Sequence, residues 1–128
     1  MPILDGMRVL VVEDDLMLAQ SVVALLEMSG ADIVHKADAA SALVALKEGS
    51  FGLVVSDYSL GQGENGDSVL KAAREWQPQA KRIMMSGSNS AEWVVEAGLA
   101  QAFYLKDAGL GEVLLGEIEA QVREEKDL

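Results

Sequence analysis

Short apolar runs recur along this chain, each followed by a longer stretch of helical period, and that alternation leaves few folds open. The runs are Arg8 to Val12, Ile33 to His35, Leu53 to Ser56, Arg82 to Met85 and Ala102 to Leu105. Their near-continuous apolarity suits strands covered on both faces, as in a parallel sheet flanked by helices. Between the runs, apolar residues fall at helical spacing: Leu16, Ala19, Val23 and Leu26, then Ala39, Leu43 and Leu46. The pattern continues with Val69, Ala73 and Trp76, and with Leu110, Leu114, Ile118 and Val122. A weaker pattern over about Ala91 to Ala97 predicts a short fourth helix. Gly30 and Gly49 follow predicted helices, and Asp15, Asp38 and Asp107 precede them as caps. The expectation is an α/β domain of stacked βα units around a parallel sheet.

In such a sheet the carboxyl ends of adjacent strands open into one crevice, where ligands bind. The first run ends in Glu13-Asp14-Asp15 and the third in Asp57. Carboxylates gathered in one crevice repel one another and need a cation. A hard divalent ion such as Mg²⁺ takes oxygen ligands and keeps several waters, so two or three carboxylates and a carbonyl suit it. The fourth run leads into Ser86-Gly87, a hydroxyl donor beside a residue that leaves room for a transferred group, and the fifth into Lys106. An ammonium at the end of an apolar strand is expensive unless a carboxylate or phosphate neutralises it. A metal, a lone carboxylate, a hydroxyl and an ammonium together make a phosphoryl-transfer site. Singly, each group has an ordinary reading: helix caps or loop residues for the acids, a strand-to-helix turn for Ser86-Gly87, a snorkelling surface lysine for Lys106.

The 128 residues fit a single domain with a real core. A net charge of -11 argues against direct contact with nucleic acid or an anionic membrane, since both attract basic patches. Glu112, Glu117, Glu119, Glu124, Glu125 and Asp127 read as a solvated helix face and tail. Cysteine is absent, which excludes disulfides and thiolate chemistry. The amino terminus has neither the basic region nor the apolar stretch of a signal peptide, and no apolar run approaches about 18 residues, so a cytoplasmic location is expected. His35 has no second metal-type ligand near it in sequence and reads as structural or surface. Trp76 and Trp93 read as packing residues of helices, and Met84-Met85 as core.

Taken as a set, the strand-end residues resemble the receiver domain of bacterial response regulators, from about Arg8 to Gln121. The resemblance implies a flavodoxin-like (βα)5 fold with strand order 2-1-3-4-5, a domain over 1–128 with its core at 8–121 and flanks at 1–7 and 122–128. It implies that Glu13, Asp14, Asp57 and the backbone carbonyl of Ser59 hold Mg²⁺, with Mn²⁺ as a substitute. Asp57 would accept a phosphoryl group from the phosphohistidine of a histidine kinase or phosphotransfer protein. Ser86, Gly87 and Lys106 would contact that group, and Phe103 stands where the family has its aromatic switch. The face of the fourth helix, fifth strand and fifth helix would meet a downstream protein, with Trp93 on it, and a second copy of the chain is a further partner. The function implied is a switch rather than an enzyme, with self-phosphorylation and slow self-dephosphorylation, because only the short hydroxyls of Ser59 and Ser88 flank the site. It would act alone or as part of a larger regulator or hybrid kinase.

The chain departs from the family pattern twice. Gly61 stands where proline usually follows the phosphoacceptor, in a glycine-rich loop running to Gly66. Asp107 follows Lys106 in place of proline, which predicts a trans bond there, a shifted loop, and a lysine aimed less rigidly at Asp57. Other classes fit poorly. A phosphatase of the haloacid-dehalogenase type needs a second aspartate two residues after the nucleophile, where this chain has Ser59. A flavodoxin-like electron carrier would find its phosphate repelled by Glu13-Asp14-Asp15, and a phosphohistidine carrier needs an exposed histidine on a helical bundle.

Overall fold

A computed structural model describes residues 7–61, 65–107 and 109–127. The strands are β1 (Arg8–Val12), β2 (Asp32–Lys36), β3 (Leu53–Asp57), β4 (Lys81–Ser86) and β5 (Ala102–Leu105). The helices are α1 (Leu16–Met28), α2 (Ala39–Glu48), α3 (Asp67–Trp76), α4 (Trp93–Glu96) and α5 (Leu110–Asp127), with a 3-10 turn over Asn89–Ala91. All strands are parallel, in the order β2-β1-β3-β4-β5. β2 is one residue longer at each end than its apolar run, because the β1 ladder pairs Arg8 with Asp32 and Val12 with Lys36.

Alternation along each strand divides the core into two layers. Leu10, Val12, Val54 and Met84 pack with residues of α2 and α3, while Val9, Val11, Val55, Ile83 and Met85 pack with α1 and α5. The helices present partly different faces from those expected. α1 buries Ala19, Val22 and Leu26, and Leu16 is 61% exposed. Asp15 caps α1 by accepting the N–H groups of Met17 and Leu18, so Leu16 is its first residue. Helical side chains tilt toward the N-terminus, which carries Leu16 past the end of the sheet. α3 buries Val69, Leu70, Ala72 and Ala73, and Trp76 in its last turn overhangs at 44% exposure, with the Lys47 ammonium 5.2 Å from its ring centroid. In α5 Leu110 and Leu114 are buried as expected, while the side chains of Ile118 and Val122 lie outside the described set.

Gly111 of α5 sits so close to α1 that a Cβ there would lie 2.8 Å from Leu25 Cδ2. The fourth helix is the 3-10 turn plus a single α turn, stopped at Gly98 with φ 77°. Arg82 is buried, its guanidinium donating to the carbonyls of Leu99, Ala80 and Gly98, and among the described residues no carboxylate forms an ion pair with it. Among the described residues no helix is long and apolar enough to cross a membrane.

Candidate functional site

The sheet register brings the strand ends together. Val12 pairs with Ser56, Asp57 with Met85 and Ser86 with Leu105, so Glu13, Asp57, Ser86 and Lys106 all end adjacent strands on one edge. Asp57 is 3% exposed and its backbone is held from several sides. Ser56 Oγ donates to its carbonyl at 3.0 Å, and the Tyr58 N–H donates to the Met85 carbonyl at 2.8 Å. Gly66 closes this cradle. Its N–H donates to the Tyr58 carbonyl at 2.6 Å, and a Cβ on it would overlap the Asp57 carbonyl and crowd Ser56 Oγ.

Lys106 Nζ lies 2.9 Å from Asp57 Oδ2 and 2.8 Å from Glu13 Oε1, forming an ion pair with each. Glu13 has no exposed surface. Its Oε2 accepts the Asp15 N–H at 3.2 Å, whereas Oε1 has the charge of Lys106 beside it but no donor in hydrogen-bond alignment. Burial pushes the Glu13 carboxyl up to about 7, against the pull of Lys106 and the Asp15 N–H, and the nearby Asp57 adds to the rise. For Lys106 burial works the other way, and the two carboxylates outweigh it to hold the ammonium above its ordinary value.

Asp14 is exposed, next in sequence to a fully buried glutamate. Single carboxylate oxygens of Glu13, Asp14 and Asp57 lie within 4.8 Å of one another. Three hard oxygen donors so placed, one of them a buried oxygen without an aligned donor, are suited to a hard divalent cation. The loop after β3 passes beside this cluster: Gly61 has φ 76°, and a Cβ on it would lie 3.1 Å from Asp14 Oδ2. Proline, locked near φ −65°, cannot take that conformation, so the departure from the family pattern at this position is built into the loop.

Ser86 is buried at the end of β4, where its Oγ accepts the Ser88 N–H at 3.3 Å and its carbonyl accepts the Lys106 N–H at 2.8 Å. That last bond continues the β4–β5 ladder by one residue. The Lys106–Asp107 peptide is not cis, and Asp107 Oδ1 accepts the Gly109 N–H at 3.0 Å, a local turn contact just ahead of α5. Lys106 reaches both carboxylates with Asp107 standing where the family has proline.

The sequence profile of the response regulator receiver domain matches residues 9–108. The chain belongs to that family. Members are signalling phosphoacceptors in two-component systems. Among solved structures, the receiver is similar to a CheY-like response regulator receiver protein from Methanospirillum hungatei, at 27% identity and TM-score 0.84, covering 94% of this chain and 97% of that one. It also resembles a response regulator from Thermotoga maritima in complex with Mg(2+)-BeF, at 22% identity and TM-score 0.78, covering 91% and 98% of the two chains. A third likeness, at 23% identity and TM-score 0.77, covers 94% of this chain and 73% of a Burkholderia pseudomallei response regulator holding a phosphorylated aspartic acid, a calcium ion and citrate. No curated protein sequence matches the chain.

Around the receiver's acidic centre the remaining expected residues are spread more widely. Ser59 is exposed and forms an isolated antiparallel bridge with Asn65. Gly87 is exposed, and a Cβ on it would meet open space. Phe103 is half-buried against the layer that contains Met84, its partner in the β4–β5 register. Trp93 is 43% exposed and sets its ring edge-on to Tyr58, with centroids 6.4 Å apart at 90°. Tyr58, which sequence reasoning passes over, thus links the residue after Asp57 to α4. Its only sequence signal is its place directly after the strand-end aspartate.

Proposed function

We propose that Asp57 is the phosphoacceptor of this receiver, that Glu13, Asp14 and Asp57 hold Mg²⁺ with help from the Ser59 carbonyl, and that a histidine kinase or phosphotransfer protein is the donor. The observation that carries this reading is Lys106 Nζ lying between Asp57 and Glu13, at 2.9 and 2.8 Å. The Thermotoga relative with Mg(2+)-BeF and the Burkholderia relative with a phosphorylated aspartic acid and a calcium ion lend it support.

The Asp57 carboxylate attacks the donor's phosphorus, an O–P bond forms, the P–N bond to the donor imidazole breaks, and the ring nitrogen keeps the electron pair and takes up a proton. Such transfers depend on positioning and charge neutralisation more than on covalent participation by the protein. The cradle of Ser56, Tyr58 and Gly66 holds the nucleophile still. Lys106 supplies a positive charge that follows the phosphoryl oxygens, which frees Glu13 from its ion pair. A bound Mg²⁺ supplies further neutralisation of those oxygens. Ser86, with Gly87 leaving space, then donates its hydroxyl to the phosphoryl group, and Phe103 responds in the layer behind it. The population shift is read on the α4–β5–α5 face. There an open groove of about 480 Å³ is lined by Glu92, Val95, Glu96, Ala102, Phe103 and Tyr104.

The test is incubation with acetyl phosphate and Mg²⁺ followed by intact mass. A gain of one phosphoryl group is expected in the natural chain and none in Asp57→Asn. A gain that persists in the variant sinks the assignment.

A further inference from the structure

Glu13 is held by β2 as well as by its own strand. Its N–H donates to the Lys36 carbonyl at 3.0 Å, one rung beyond the Val12–Lys36 pair. β2 ends there, and the chain turns to Asp38, the cap of α2. Where a further rung would place a donor, a side chain takes over: His35 Nε2–H donates to the Glu13 carbonyl at 2.8 Å. The imidazole is half-buried on an edge strand, a place that a β-branched residue fills well, so packing alone does not call for histidine. With its N–H and its carbonyl both engaged across the strand gap, Glu13 has the peptide planes on either side of its Cα fixed. The direction of its carboxylate follows from them, and the second plane also sets where Asp14 begins.

We propose that His35 is a positioning residue for the acidic centre: by holding the Glu13 carbonyl it aims the Glu13 and Asp14 carboxylates at the cation. The inference rests on the reading that these two residues hold Mg²⁺. Outer hydrogen bonds of this kind orient ligands, and their removal commonly weakens metal binding about 10- to 100-fold. The donor is what matters. Glutamine at this position has an amide N–H of similar reach, while leucine and phenylalanine keep apolar bulk without a donor.

The experiment is calorimetric titration of Mg²⁺ alone into the metal-free full chain, with no phosphodonor, alongside thermal unfolding of each variant. His35→Leu and His35→Phe are expected to bind Mg²⁺ about tenfold more weakly while still melting cooperatively, and His35→Gln to bind within about threefold of the natural chain. Unchanged affinity in the donorless variants overturns the proposal, as does a glutamine variant that falls with them. If neither donorless variant folds, His35 serves the fold and not the site, and the proposal is equally overturned. Failure of the natural chain to bind Mg²⁺ would overturn the proposed function itself, whereas normal binding matched by His35→Leu overturns only the role of His35.

Discussion

Removing the charge of Glu13 should stabilise the metal-free protein at neutral pH and abolish one component of its pH dependence. The Glu13 carboxyl is raised from 4.5 to about 7 in the fold. One pKa unit corresponds to about 1.36 kcal/mol, so the shift sets an upper bound of about 3 kcal/mol. As pH rises the unfolded chain releases this proton first. The stabilisation linked to the protonated form is therefore whole below about 4.5, declines through the interval up to about 7, and is gone above it. Denaturant unfolding with chelator present, across that interval, should give a difference between natural chain and Glu13→Gln that grows with pH by no more than about 1.4 kcal/mol per unit and then levels off. The subtraction cancels the titrating groups that do not touch Glu13 and leaves the acidic centre, Glu13 with its neighbours Asp57 and Lys106. Added Mg²⁺ should restore the natural chain at high pH and do far less for the variant. A difference that stays constant across the interval, or that favours the natural chain as pH rises, would refute the reasoning.

Gly66→Ala should destabilise the fold by roughly 1–3 kcal/mol, read by thermal melting, and should impair phosphorylation by acetyl phosphate, because its Cβ overlaps the Asp57 carbonyl. Lys106→Ala should destabilise the metal-free chain more above pH 7, where it leaves an ionised buried Glu13 unpaired, than at pH 5, where that carboxyl holds its proton, yet should not weaken Mg²⁺ binding in calorimetry. The phosphorylated protein should decay slowly, because Ser59 is short and exposed and the Ser88 hydroxyl lies 2.7 Å from that of Ser90, so Ser59→Asn or Ser88→Glu should alter the decay rate followed by mass. Trp93→Ala should leave the melting temperature nearly unchanged and abolish pull-down of a phosphorylation-dependent partner, since its ring is partly exposed and touches Tyr58 only edge-on.

The strands were legible because their apolar runs are local and the three central ones are buried on both faces, and β1 and β5 have the bounds that the sequence predicts. The gathering of Glu13, Asp57, Ser86 and Lys106 was legible for a related reason, since residues that end parallel strands share one edge whatever lies between them. Helix faces were less so. Whether Val22 or Val23 is covered, and whether Leu16 or Trp76 overhangs, depends on where each helix sits over the sheet, and local periodicity does not carry that. The division of labour within the site belonged to the tertiary structure alone. Adjacent residues leave a strand in opposite directions, and only the packing made Glu13 the buried acid and Asp14 the exposed one. The hold of His35 on the Glu13 carbonyl spans 22 residues, and that of Lys106 on Asp57 spans 49. Contacts at such separations leave no periodic trace in a sequence, because they exist only once the sheet has placed the strands side by side.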